Sequence, residues 1–340
     1  MKAMQFLRAL EFLEDTLITE ADLQQPLKRH RLFSRPVLIA AIILTGILLI
    51  TACAAMGGTV RILQYFSDAA PEKLSAEQVE YITANTLDVN KSQTVSGYTV
   101  TLRSVFSDGR DILLQFDLTA PAGTVLDADS YKDKRGAILE SDGGMPLALA
   151  MQWQLQDEDR SDNKISLLCS IESVWNREET FADQNCCFYI YGLEAVWHEQ
   201  MMNREETLAE GCWSYNIHFP EDCSRSISFV QEPVEVCQRV TVGYERIDER
   251  TLQPVTEQME GYITSLKLWS LGAELSFRFD GESRNAEFGN LYAVMKNGEK
   301  ILLQKSFTMP DLITYKVDTP IMLDRVDHLL LEDGIKFPIP

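Results

Sequence analysis

Catalytic signatures are missing from this sequence. It has no G-x-S-x-G, no H-E-x-x-H and no G-x-x-x-x-G-K-[ST], so serine-hydrolase, zinc-protease and P-loop chemistries have no motif to rest on. Histidine is scarce, with only His30, His198, His218 and His328. His198, between Trp197 and Glu199, reads as a surface residue, and His218 falls in a strand pattern with Trp213 and Tyr215 and is expected to be packed. C-x-x-C is absent, and the adjacent Cys186 and Cys187 do not fit a zinc knuckle. Asp127/Asp129 and Asp157/Asp159/Asp162 lack the glycine and distal glutamate of an EF-hand loop. They read as solvated acidic loops, with Ca²⁺ as the alternative. No catalytic, cofactor-binding or metal-ligating residue is assigned, and the chain is expected not to be an enzyme.

Positive charge is the second shortage. The 340 residues carry 31 Lys/Arg against 51 Asp/Glu, a net charge of −20. Residues 1–35 are nearly neutral, with 6 basic and 5 acidic residues, and residues 36–65 hold only Arg61. The remainder therefore carries 24 basic and 46 acidic residues, a net of −22. A surface that acidic repels phosphate backbones, so nucleic acid is not expected as a partner.

Long apolar runs are limited to one, Val37 to Met56, VLIAAIILTGILLITACAAM. Twenty uncharged residues at ~1.5 Å of rise each span the ~30 Å core of a bilayer as one helix. Lys28, Arg29, Arg31 and Arg35 precede it, and after it only Arg61 is basic for a dozen residues. That asymmetry predicts a plasma-membrane, single-pass protein with a cytoplasmic N-terminus and extracellular C-terminal domains. Ile50-Thr51-Ala52-Cys53 also resembles a lipobox, which leaves a lipoprotein as an alternative. Against it stands a tail of about 35 residues carrying five acids, whereas signal n-regions are short and basic.

Seven cysteines are present. Beyond Cys53 they are Cys169, Cys186, Cys187, Cys212, Cys223 and Cys237. An even number outside the membrane permits three disulfides within one domain. Free buried thiols and metal ligation are the alternatives, and on a strand Cys186 and Cys187 would point to opposite faces.

Along the chain, Phe6, Leu10, Leu13 and Leu17 recur at helical spacing, predicting an amphipathic helix over 4–18. Gly57 and Gly58 are expected to loosen the exit from the apolar run. Ser75 to Gln78 is a capping box, with Leu74 and Val79 as a hydrophobic staple, opening a helix to about Asn85. From Tyr98 the period becomes two: residues 99–105 and 112–118 alternate around a turn at Ser107 to Arg110, a β-hairpin. Strands are also expected at 147–155, 164–172, 186–196, 212–219 and 226–231. A second all-β unit begins near Cys237, with strands at 263–268 and 273–279 and a hairpin around Asn297-Gly298.

Several of these stretches together look like one family. They are the basic cluster and single span, GYTVTLRSVFSDG at 97–109, FDLTAPAG at 116–123, LDAD at 126–129, ITSLKLWSLG at 263–272 and LDRVDHL at 323–329. They resemble an extracytoplasmic domain family of Gram-positive, clostridium-like single-pass membrane proteins, anti-sigma-factor-like in character. The resemblance implies a cytoplasmic sigma factor as partner of the tail. It carries no catalytic residues over, and the zinc-binding anti-sigma signature is absent, because the tail has no cysteine.

The expected architecture is therefore mostly β, one transmembrane helix followed by two β-sandwich-like extracytoplasmic domains. Residues 1–35 form the cytoplasmic tail, 36–58 the membrane helix, 59–95 a juxtamembrane linker and helix, 96–237 the first sandwich and 238–340 the second. Two functions follow: an extracytoplasmic sensor of an unknown envelope ligand that signals through its tail, or a surface-anchored binding or structural module without signalling.

Overall fold

The computed structural model describes residues 57–70, 73–141, 149–156, 161–173, 181–199, 203–223, 225–241, 256–279 and 286–340. The amphipathic tail helix, the apolar run, Cys53, His30, Asp157 and Asp159 lie outside them. Among the described residues no helix is long and apolar enough to cross a membrane. The described residues are β-rich, with two α-helices and several antiparallel sheets in one compact unit from Gly58 to Pro340.

Two helices come first, α1 (Gly57–Ala69) and α2 (Ala76–Ala84). The glycines that were expected to loosen the chain instead open α1, and Gly58 has a packing reason to be there. A Cβ on it would lie 2.6 Å from the Ser104 Cβ, so only glycine lets the helix approach that closely. Gly58, Ile62 and Phe66 recur every fourth residue and are buried, which makes one face of α1 the packing face. The capping box of α2 forms as expected: Gln78 N–H donates to Ser75 Oγ at 3.2 Å and Ser75 N–H to Gln78 Oε1 at 2.9 Å.

The first β module has a five-stranded sheet in the order β1 (Thr86–Val95), β2 (Tyr98–Ser107), β3 (Asp111–Thr119), β7 (Lys164–Ser173), β6 (Leu149–Leu155). A second sheet sets β8 (Asn185–His198) between β9 (Asn203–His218) and the short β4 (Ser130–Asp133) and β5 (Ile138–Ser141). Alternation decides what each strand buries. Ile112, Leu114, Phe116 and Leu118 of β3 join Phe188, Ile190, Trp213 and Tyr215 of the second sheet in one core. Phe116 sits at its centre, 5.7 Å ring to ring from each of Trp153, Phe188 and Tyr215. The strand around Cys212 starts much earlier than expected, because residues 203–209 pair with β8 although Asn203 to Thr207 are polar and exposed.

The second module has its own core, built from β12 (Thr256–Leu268), β13 (Gly272–Phe279), β14 (Leu291–Met295), β15 (Lys300–Met309), β16 (Leu312–Lys316) and β17 (Val326–Leu331). β15 pairs with β14 through Lys300 to Leu303 and with β16 from Gln304 onward, with a register shift between Lys305 and Phe307 just beyond the change of partner. Strands β10 (Ile227–Ser228) and β11 (Val234–Thr241) both pair with β12. Phe229 and Val236 lie in the second core, so this module gathers strands from before residue 238. The Asn297-Gly298 hairpin forms as expected, with Gly298 at φ +87°.

Among the described residues no disulfide links the six cysteines, which corrects the expectation of three disulfides. Cys186 and Cys187 do face opposite ways, the first buried and the second half-exposed. Cys187 and Cys212 share the outer face of the β8–β9 pair, but Cys187 stands opposite Asn216 and Cys212 opposite Tyr191. Four residues of strand, about 13 Å, separate them, beyond the ~7 Å reach of a disulfide. Cys237 lies on β11 in the other module rather than with the rest.

Candidate functional site

The histidines and acids singled out from the sequence do not converge. His198 Nδ1 lies 3.1 Å from Asn203 Oδ1, and its backbone N–H donates to Asp129 Oδ2 at 2.8 Å. His218 is exposed, not packed: Trp213, Tyr215 and Ile217 take the inward positions of β9, and alternation leaves His218 outside beside Asn185. Asp162 accepts the Lys164 N–H at 2.8 Å, a local turn. Among the described residues no three His, Cys, Asp or Glu side chains group as metal ligands would.

Three polar arrangements stand out instead. The first lies under α1. Asp117 of β3 points away from the core and accepts from Arg103 at 2.7 Å and Ser166 at 2.8 Å, with Lys164 at 3.5 Å and Arg61 of α1 at 3.7 Å. Burial works to raise its pKa, but the Arg103 hydrogen bond and the surrounding cations outweigh it and hold the carboxyl below its ordinary value. Ser104 Oγ and Gln115 Oε1 in this interface are buried without a hydrogen-bond partner, so the seat of the helix is polar and incompletely satisfied.

The second is the joint between the modules. Asp108, fully buried in the β2–β3 turn, accepts the N–H groups of Arg110 and Asp111 at 3.0 and 2.9 Å and reaches Leu271 N–H at 2.9 Å. Arg110 pairs with the buried Glu274 and lies 5.0 Å from the Trp269 ring centroid. Helix α2 touches both sides, through Phe106 against Tyr81 and through Gln78 Nε2 to Pro320 O at 2.9 Å. This is a structural lock, with a residual cavity of about 20 Å³, room for one water.

The third is a cavity of about 280 Å³ lined by Arg135, Tyr191, Gly192, Glu210, Gly211 and Cys212. Its cause is a break in the β8–β9 ladder. Tyr191 pairs with Cys212, but the next pair is Leu193 with Ala209, and a further shift follows at Glu194. The extra residues bulge, as strands do beside binding sites. Gly192 (φ +78°) and Gly211 (φ +142°) make the bulge attainable. A Cβ on Gly211 would lie 2.2 Å from Val95 Cγ1, so the end of β1 closes one side, and Ser96 Oγ donates to Glu210 O at 2.8 Å. The β4–β5 turn brings Lys134, paired with Glu210, and Arg135.

Protonation in the cavity follows from its surroundings. Burial raises the Tyr191 phenol and the Cys212 thiol, and the Lys134 hydrogen bond lowers the Glu210 carboxyl. At neutral pH the cavity thus offers a phenolic donor and a protonated thiol, which is a poor nucleophile. Tyr189 stacks on Tyr191 at 5.9 Å with the ring planes 12° apart. These groups suit recognition of a small polar ligand. Sequence reasoning missed this site, although an isolated glycine inside each strand pattern, Gly192 and Gly211, is the signal that marks a bulge.

No protein-family model and no curated protein matches the chain. Two solved structures are similar at 12% identity each. The conserved domain protein from Bacillus anthracis has a TM-score of 0.41, over 72% of this chain and 76% of that one. S. aureus TarS has a TM-score of 0.18, over 83% of this chain and 49% of that one. Neither likeness is close enough to carry an argument about fold or function.

Proposed function

We propose that this chain is a single-pass plasma-membrane protein whose β-rich part faces outward, binds an envelope ligand, and signals through its cytoplasmic tail in an anti-sigma-factor-like manner. In this reading Val37 to Met56 spans the bilayer, and residues 86–340 form two β-sandwich-like extracytoplasmic domains. The observation that carries it is the docking of α1. That helix follows the apolar run directly in sequence and is fixed to the first module by Ile62, Phe66 and the contact of Arg61 with Asp117. A receptor needs its binding module held by more than a loose tether, and from Gly57 onward the described chain is a packed helix rather than a glycine-rich linker. The Asp108–Leu271 and Arg110–Glu274 contacts fasten the first module to the second.

Crosslinking and pull-down from native membranes tests the reading, comparing the full chain with one lacking residues 1–25. Capture of a cytoplasmic protein by the full chain alone supports signalling, and a captured sigma factor supports the anti-sigma-like form. If both chains retain the same envelope components and nothing cytoplasmic, the tail is a topogenic leader and the protein is a surface-anchored binding module.

A further inference from the structure

We propose that the cavity at the β8–β9 bulge takes a small ligand by an oxyanionic group, a carboxylate or a phosphate, gripped by Arg135 and Tyr191. This rests on the reading of the β-rich part as a ligand-binding module and adds the chemistry it recognises.

Among the described residues, two polar groups of the lining make no hydrogen bond or salt bridge, although the Arg135 charge acts on Glu210. They are the Arg135 guanidinium, exposed in the β4–β5 turn, and the Tyr191 hydroxyl. Glu210, the acid of the lining, is engaged by Lys134 and also feels Arg135, so two cations share its one charge, and the Glu140 carboxylate acts on Tyr191 from outside the lining. A guanidinium is a planar fork of N–H donors that matches a carboxylate or phosphate, and a phenol beside it adds a third donor. That phenol, ordinarily titrating near 10 and raised further by burial, is a donor at neutral pH. On a chain of net charge −20, diffuse attraction does not collect anions, so an anion that stays must be held by local geometry. Size narrows the class further. About 280 Å³ lies at the small end of ligand pockets and suits one sugar or amino-acid unit rather than a polymer segment. The backbone is built for the space: two glycines at positive φ, two register shifts and the end of β1 converge on it, and unusual backbone geometry of this kind gathers at functional sites.

Calorimetric titration of the full chain in neutral-lipid nanodiscs tests the proposal. The probes are glucuronate, glycerol 3-phosphate and, as the uncharged control, glucose. At least one anion is expected to bind while glucose does not, glucuronate alone indicating a carboxylate ligand and glycerol phosphate alone a phosphate. Arg135→Gln is expected to weaken that binding about tenfold or more, and Tyr191→Phe by a few-fold. Glu210→Gln frees Lys134 and is expected to tighten it, a gain that no folding defect produces. The proposal is overturned if neither anion binds up to about 20 mM, if glucose binds equally well, or if Arg135→Gln changes nothing. A tail-dependent cytoplasmic capture that survives such a negative result leaves the signalling reading intact, so the two fail separately.

Discussion

Asp108 Oδ2 accepts the backbone N–H of Leu271 at 2.9 Å, one turn of the first β module holding one turn of the second. The other oxygen of the same carboxylate caps its own turn through Arg110 and Asp111. Replacing Asp108 with Ala orphans three backbone donors in a buried place and is expected to cost about 4 kcal/mol. Asp108→Asn keeps the turn bonds but turns an amide N–H₂ toward Leu271, so it breaks chiefly the link between modules. Scanning calorimetry is expected to show a single transition for the wild type, replaced by two transitions in Asp108→Asn and lowered further in Asp108→Ala. A single, unshifted transition in both variants would refute the lock.

Arg110 and Glu274 are buried and paired across the same joint. Removing one partner strands the other charge, so Arg110→Met alone is expected to destabilise by about 3–5 kcal/mol. The double variant Arg110→Met/Glu274→Leu strands nothing and is expected to recover most of that loss. Urea denaturation of the two singles and the double gives the coupling energy. Strict additivity of the single effects would mean that the pair is not an interacting unit.

Much of this architecture is legible in the sequence because its signals are local. The alternation through 99–105 and 112–118, the capping box at Ser75 and the Asn297-Gly298 turn each fix their own element without distant help. Residues 203–211 defeat a local reading. Asn203 to Thr207 are polar and exposed, and they are strand only because β8 offers them a ladder. The joint and the cavity are illegible for the same reason. Arg110 and Glu274 are 164 residues apart, and Arg135 reaches the bulge only through the β4–β5 turn. The cysteine count misled because parity says nothing of register, which sets Cys187 and Cys212 four positions apart on paired strands.

Acid should loosen α1 before it unfolds the β modules. Asp117 has a lowered pKa in the folded protein because Arg103, Arg61, Ser166 and Lys164 favour its charged form over the opposing cost of burial. Its contribution is therefore complete above the unfolded value of about 4 and is lost as pH falls through the lower folded value. Asp108 works the opposite way, because burial raises its pKa; through that group alone, the folded state gains as pH drops. Hydrogen exchange at successive pH values below 5 is expected to show protection lost in α1 first. Asp117→Asn should show the same loosening at neutral pH and little further change on acidification. Protection of α1 that is unaffected by either would mean that the cation cluster does not seat the helix.

The thiols provide a check on the second sheet. With no disulfide among them, the six described cysteines are all expected to be labelled when the unfolded chain is alkylated without reductant, whereas three disulfides would leave none of them reactive. In the folded protein Cys212 and Cys237 are exposed and Cys187 half-exposed, while Cys169, Cys186 and Cys223 are buried. Cys237 is expected to react first with a maleimide. Cys212 should follow more slowly, since burial pushes its thiol pKa up and leaves less thiolate at neutral pH. Cys169, whose thiol is raised further by complete burial in the core, should react only at the rate of unfolding. Peptide mass mapping over time reads the order directly. If Cys169 were labelled as fast as Cys237, the packing of β7 against the second sheet would be wrong. If Cys212 alone were protected by a bound anion, the cavity rather than the sheet would be governing its access.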